Sequence, residues 1–576
     1  MRRILSPLLL LLTLVSGMAK ADSCVALLKN LNLTLEPSFI TDGSPKALKM
    51  MLGNVEPLVD PKDPSKGNHL GVVVAGGVPE NTATMQNYQY YWMRDGGITM
   101  TMLADIYLDS DSEQTKTLIM QKFIRYLEAI KKLQNQSNRS GQADVTYDQT
   151  GTVIDYFLNM GEPKFLLTLE NFEQDWGRDQ KDGPPFALKG ILRVSRVLWE
   201  NWDTIFAPGS PFKTTLTKAD LYSSLGPTGS YEKVDSIVKR HLQYSLHNWR
   251  GWTVEMWEMM RGHHFATIGA HQAVLVQEGP DFATFVGDSG AGKEYASVGK
   301  SIDPVLLRFW DGRIIHATMN LDTGQFLDVK PEGPTDGLDA AFLIGAMHMK
   351  SNVFTAASDY IFSTVNAMEE GFESAYTLNQ RGDDQLATLW GRYVKDSYDG
   401  LTVGSTGKGN PWFLTSYYVA EHAYKAAQEI RTNGHLAVTD LNVKFLNRVL
   451  RQSGSTTRVQ SGAKLIAGNP VFDEIIGSFV KRGDKIMTRL ENFRGPNGEM
   501  SEQIDRDAAT DSPQYQRSLP NLTWSYAAYF RAIKARRNFM NSVTPGVSHL
   551  NVDTKKQGPD QTPKQTPNQA LNQTPK

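Results

Sequence analysis

Apolar side chains along the chain recur mostly at the spacing of one helix face. Phe123, Leu127 and Ile130 fall at i, i+4 and i+7, while Phe445, Val449 and Leu450, and then Tyr526, Phe530 and Ile533, mark further stripes of the same kind. Each stripe predicts an amphipathic helix. Pro411 predicts the start of another, over the run Trp412 to Ile430, because a first helical turn has no use for the N–H that proline lacks. Strand patterns are few. Gly71-Val72-Val73-Val74 predicts a short strand, and Leu306 to Met319 predicts a hairpin turning at Asp311-Gly312. With no repeat at a short fixed period, a regular solenoid is not expected. The pattern is that of a largely helical protein whose helices are joined by long connections rich in glycine and aromatic residues.

The two ends depart from this pattern. Met1-Arg2-Arg3, an apolar run from Ile4 to Met18 and the small-residue site Ala19-Lys20-Ala21 read as a secretory leader. We therefore expect residues 1–21 to be removed on export, outside the cell or into a periplasm if the source is Gram-negative. The leader is shorter than the ~20 apolar residues of a membrane span, and no other stretch reaches that length, so no membrane association is expected after cleavage. Residues 541–576 are expected to be a disordered polar tail: from Asp553 onward, Gln, Pro, Thr, Lys and Asn dominate and offer little to bury. The intervening residues 22–540 form the predicted folded domain.

Composition adds constraints. Lys and Arg number 60 against 62 Asp and Glu among 576 residues, for a net charge of −2, which gives no reason to expect a nucleic-acid partner. At 40% hydrophobic residues there is ample material for a large core. Cys24 is the only cysteine, so neither an internal disulfide nor a Cys-built metal site is available. A monomer without metal or cofactor is expected.

Several motif-like segments are set aside. Gly287 to Glu294 follows most of a phosphate-binding loop, but Glu294 stands where a Ser or Thr should bind magnesium, so the segment reads as a glycine loop. Asp109-Ser110-Asp111-Ser112-Glu113 lacks the glycine and terminal glutamate of a calcium loop. His263 and His264 are adjacent rather than at zinc-protease spacing, and read as structural. No G-x-S-x-G elbow occurs.

Four blocks combine aromatic residues with acids, amides and arginines: Tyr88 to Asp95, Trp176 to Pro184, Trp257 to Gly262, and Ser501-Glu502-Gln503 together with Leu522 to Ala527. Sugars call for this mixture, since their C–H faces pack on rings while their hydroxyls need charged and amide partners. Cleaving a glycosidic bond generally takes one protonated and one ionised carboxyl group. Glu258, between Trp257 and Met259-Met260, suits the acid because an apolar setting disfavours its charge; Glu502, between Ser501 and Gln503 and near Asp505 and Asp507, suits the base. Among 62 acidic residues, chemistry alone leaves other pairs open.

Taken in order along the chain, these blocks resemble the glucoamylases, exo-acting α-glucosidases. Gly71 to Ala75, Gly391-Arg392-Tyr393 with Asp396, and Gly409 to Leu414 extend the likeness. The resemblance implies an all-α fold, an (α/α)6 barrel of six inner and six outer helices with a pocket at one end. It implies Glu258 as general acid and Glu502 as general base, facing each other across that pocket. Arg94 and Asp95 would bind terminal glucose hydroxyls, and Tyr88 and Trp92 would line the cleavage subsite. Trp176, Arg178, Trp257, Arg392, Trp412, Gln503 and Trp524 complete the expected substrate contacts. The substrate implied is an α-glucan or maltooligosaccharide, with a glucodextranase-like α-1,6 activity or a non-catalytic glucan binder as alternatives. Three departures stand out: Met259 follows the acid where the family usually has a second acid, Glu255 stands where Asp is common, and Gly279 to Gly333 reads as a rim insertion. The roughly forty residues given after the last matching helix are too few and too polar for a β-sandwich, so no starch-binding module is expected among them.

Overall fold

The computed structural model describes residues 33–57, 69–78, 84–141, 146–147, 153–223, 234–328, 337–382 and 386–543. The expected leader and Cys24 lie outside these residues, as does the tail beyond Val543. No helix among the described residues is long and apolar enough to cross a membrane.

Helices of two kinds alternate along the chain. One set comprises α1 (Gly43–Asn54), α3 (Glu113–Gln134), α5 (Ile237–Asn248), α7 (Ser289–Ser301), α9 (Asp359–Ala375) and α11 (Pro470–Phe493). The other comprises α2 (Met93–Asp109), α4 (Gly183–Ile205), α6 (Phe265–Ala273), α8 (Ala341–His348), α10 (Phe413–Asn433) and α12 (Thr523–Val543). The even-numbered helices pack side by side in chain order, and α12 closes the ring against α2. Each odd-numbered helix lies against the ring's outer side, for example α1 on α12, α5 on α4 and α11 on α10. This is the expected (α/α)6 barrel.

Burial explains which helices are inner. Every residue of α6 and of α8 is buried, as befits a helix that is apolar all round. Phe123, Leu127 and Ile130 are buried on α3, an outer helix with a solvated face. The Phe445 stripe belongs to helix Val443–Gln452, between α9 and α11, and the Tyr526 stripe to α12. Polar side chains stop the termini fraying: Ser112 accepts from Thr115 N–H at the start of α3, and Asn469 accepts from Val471 N–H at α11, beside Pro470 in the first turn.

Four local expectations need correction. Gly71–Val74 forms one bridge, Val55 to Val73, rather than a strand. Pro411 lies just before α10: Trp412 is the extended N-cap, and the Pro411 carbonyl accepts Ile504 N–H instead. In the expected hairpin, Asp311-Gly312 does turn the chain, bracketed by a Trp310–Ile315 bridge, but Asp303–Leu306 is helical and Thr318–Met319 pairs with His263 and His264. Gly279 to Gly333 is no rim insertion, since it contains the stave α7, whose N-cap Asp288 sits in the glycine segment.

Inner helices α2 and α4 approach through glycines. A Cβ on Gly190 would lie 2.8 Å from the Thr101 backbone nitrogen, whereas one on Gly53, exposed in α1, would meet nothing within 4 Å. Gly190→Ala should therefore destabilise the fold by about 1–3 kcal/mol through overpacking, while Gly53→Ala should add about 0.5–1 kcal/mol of helix stability. Urea midpoints of the two variants check this, and an unchanged Gly190→Ala would contradict the close packing.

Candidate active site

The residues that open the inner helices meet at one end of the barrel. Trp92 is the N-cap of α2, Arg94 and Asp95 are in its first turn, Asp182 precedes α4, Trp412 is the N-cap of α10 and Trp524 is in the first turn of α12. Glu258 lies on the loop between Thr253–Val254 and Arg261–His264, a strand pair leading into α6.

Glu258 is half-buried. Its Oε1 accepts two hydrogen bonds, from Trp92 Nε1–H and Gln180 Nε2–H, both at 2.9 Å. Gln180 is in turn fixed by Arg94, whose Nη1–H donates to Gln180 Oε1 at 2.9 Å. Arg94 also pairs with Asp95 and Asp182, at 3.4 Å each, and lies over the Trp524 ring. Burial outweighs Arg94 and pushes the Asp95 carboxyl up to about 6.

Glu502 is 0% exposed. Its Oε2 accepts from Ser518 Oγ–H at 2.5 Å and Gln503 Nε2–H at 3.1 Å, while Oε1 is buried without a hydrogen-bond partner. Burial raises its pKa, against Ser518, Tyr88 and Arg392, which favour the charged form. The sequence-based contrast between the two glutamates is thus reversed in burial. Trp257 turns inward while Met259 turns outward, leaving Glu258 between them; Asp505 pairs with Arg517, and Asp507 accepts from Thr377. Tyr88 joins the two sites. Its ring lies 5.4 Å from that of Trp92, its hydroxyl is 3.0 Å from the Tyr398 hydroxyl, and after burial the charges of Glu502 and then Glu258 help to raise its pKa.

The loop carrying Glu258 is built on Glu255. The buried Glu255 carboxylate accepts the N–H groups of Trp257, Met259 and Met260, and Glu258 takes a left-handed φ of 66°, which costs a non-glycine residue about 1–2 kcal/mol. Asp339, opening α8, accepts from Trp257 Nε1 and Ala341 N on the same oxygen, Oδ1. Burial pushes Glu255 up to about 7 and Asp339 up to about 8.

The other expected contacts divide in two. Trp176, 36% exposed, stands at the rim, edge-on to Trp92. Trp257 and Trp412 form a buried wall with Trp524, facing Arg392, which is held bidentate by Asp396. Arg178 is instead committed to its own loop, through Glu162 and the carbonyls of Phe172 and Gln174. Gln503 is fully buried and orients Glu502, anchored by Asn410. Sequence reasoning missed Lys164, Asp339, Tyr398 and Ser518. Lys164 is enclosed by the rings of Tyr90, Trp92, Phe172 and Trp176 at 3.6–4.5 Å, and burial brings its pKa down to about 7. Among the described residues, no cluster of three or more His, Cys, Asp or Glu could hold a metal ion.

A helical double barrel that gathers two glutamates and an aromatic wall at one end suits glycoside hydrolysis. Residues 46–534 match glycosyl hydrolases family 15, and the chain belongs to that family. Similar proteins include a glucoamylase of Blastobotrys adeninivorans, 27% identical over 81% of this chain and 69% of that protein, and glucoamylase-1 of Schizophyllum commune, 27% identical over 87% and 74%. In fold the chain resembles the glucoamylase of Saccharomycopsis fibuligera, with a TM-score of 0.67 at 23% identity over 86% of this chain and 95% of that one. The glucoamylase of Hypocrea jecorina gives the same TM-score at 24% identity, over 88% and 74%.

Two outcomes are expected. Ser518→Ala removes a donor that favours ionised Glu502, so the acidic limb of the activity profile should move to higher pH; an unmoved limb would separate Glu502 from that ionisation. Glu255 and Asp339 have folded-state pKa values above the ordinary carboxyl value, so the folded protein holds protons that the unfolded chain has released between about pH 4 and 8. Stability should be greatest below that window and fall as pH rises through it. Asp339→Asn retains an oxygen for both hydrogen bonds and should flatten the fall in melting temperature; an equally steep fall in the variant would count against this source.

Proposed function

We propose that the protein is an exo-acting glucan 1,4-α-glucosidase, releasing glucose from the non-reducing ends of starch, glycogen or maltooligosaccharides with inversion to β-glucose. The observation that carries this reading is the set of unpaired atoms around the two glutamates. Arg94 Nε, Asp182 Oδ1, Trp412 Nε1 and Glu502 Oε1 are buried without hydrogen-bond partners, and Asp95 Oδ2 has only its ion pair with Arg94. Buried polar groups are seldom left unmade, and donors and acceptors mixed beside tryptophan faces suit the hydroxyls of one terminal hexose.

The chemistry follows from which oxygens are occupied. Two N–H donors hold Glu258 Oε1, so in the acid form the proton sits on Oε2, from which it passes to the glycosidic oxygen. Ser518 and Gln503 hold Glu502 Oε2, leaving the Oε1 lone pairs to take a proton from the attacking water. Single displacement then gives the β-anomer first. Arg94 and Asp95 engage the terminal glucose, with Tyr88, Trp92 and the Trp257–Trp412–Trp524 wall around it and Trp176 beyond. The leader-like residues 1–21 support export.

Glu258→Gln and Glu502→Gln should each lower kcat by about 10²–10⁴-fold while calorimetry still detects maltotriose binding. Proton NMR of the first product should show β-glucose from maltose, with isomaltose cleaved far more slowly. Early α-glucose would exclude single displacement, and faster release from isomaltose would reassign the linkage.

A further inference from the structure

We infer that Met259 makes the leaving-group side of the site apolar, so that the enzyme accepts α-glucosides whose leaving group lacks hydroxyls nearly as well as it accepts a disaccharide. This rests on the proposed role of Glu258 as the acid that protonates the departing oxygen.

Direction along the site comes from burial. Glu502, Gln503, Trp412 and Trp524 are buried, Tyr88 and Glu258 are half-buried, and Met259 and Trp176 are exposed. A glucose unit seated among Arg94, Asp95 and Glu502 therefore directs its leaving group outward past Glu258. Two segments flank Glu258 there. Gly177 adjoins it, since a Cβ on that glycine would lie 3.8 Å from Glu258 Cβ, and so carries Trp176 beside the acid; Met259 is the next residue in the chain.

Met259 is 53% exposed on a loop that is otherwise tightly tied down. Its N–H is bonded to Glu255 at 2.6 Å and its Sδ accepts from the Tyr393 hydroxyl at 2.9 Å, so the side chain is held in place at the mouth. A thioether offers no donor and only a weak acceptor, and that acceptor is already used. Arg261, the nearest cationic neighbour in sequence, is spent on Asp179 and the Arg178 carbonyl. Met259 presents polarisable surface to a leaving group, and Trp176 beside it an aromatic face whose one polar atom is a single N–H donor. A site that hydrogen-bonds a hydroxyl strongly rejects an analogue lacking it, whereas an apolar site discriminates weakly.

The test compares maltose with cyclohexyl α-glucoside, whose leaving group has a similar ring and no hydroxyls. For the wild-type enzyme the two kcat/KM values should agree within about tenfold. Met259→Gln, which supplies an amide at the mouth, should shift the ratio toward maltose by about tenfold, the worth of one hydrogen bond, mainly through KM. Met259→Leu, which keeps the surface apolar, should hold the ratio near the wild-type value. Rejection of the cyclohexyl glucoside by more than about a thousandfold, an unchanged ratio in Met259→Gln, or an equal shift in Met259→Leu would overturn the inference. Failure of the wild-type enzyme to release glucose from maltose or maltotriose would instead overturn the proposed activity.

Discussion

The parallel run of the six inner helices is the constraint on which the site depends. Each odd-numbered helix returns the chain along the outside, so every inner helix begins at the same end, and the residues just before or within those first turns are brought together. Helix N-termini carry unsatisfied N–H groups and a partial positive charge, and they favour carboxylates. Asp95, Asp182 and Asp339 all stand at such starts. Residues far apart in sequence become neighbours there: Trp92 with Glu258, Trp257 with Asp339, and Trp257 with Trp412 and Trp524.

Glu258 is set within this frame by the carboxylate of Glu255, which is spent on backbone N–H groups. Glu255 gathers three N–H groups of its own loop, those of Trp257, Met259 and Met260, and that grip sustains the left-handed backbone of Glu258. Trp257 is locked from the other side by Asp339, so the residues flanking Glu258 point in opposite directions, one into the wall and one to the mouth. The position of Glu258 in this loop therefore follows from backbone hydrogen bonding as much as from its own side-chain contacts.

The helical architecture was legible in the sequence, as were the acid-aromatic blocks that gather at one end of the barrel, because their signals are local: apolar stripes for helices, and acids beside aromatic residues near helix starts. What was not legible depends on distant partners. Ser518 reaches Glu502 only because Gln503-Ile504 pairs with Gln516-Arg517, and Lys164 enters its aromatic cage only because it pairs with Trp92. The stave α7 was hidden by its own packing. Gly290, Gly292 and Gly299 dilute any apolar stripe, yet a Cβ on Gly299 would lie 2.6 Å from the Val276 nitrogen, so close approach requires the residue that obscures the helix. The contrast drawn between Glu258 and Glu502 failed for a related reason, since the neighbours of a residue in sequence do not determine its burial.

Gathering carboxyls at one buried end also bears on the charge that this end can carry. Burial lifts Asp95 to about 6, Glu255 to about 7 and Asp339 to about 8, and it raises Asp182 and Glu502 as well. The cations facing them are already shared, Arg94 between Asp95 and Asp182, and Arg392 with Asp396. Lys164 contributes least as the solution becomes alkaline, because its charge is lost near pH 7 while those of Glu255 and Asp339 are gained. Above neutrality the end of the barrel thus accumulates negative charge just as it loses a positive one, and each added charge opposes the next. Charge at this end of the barrel is therefore least opposed on the acidic side, where Glu255 and Asp339 are still neutral and Lys164 still carries its proton.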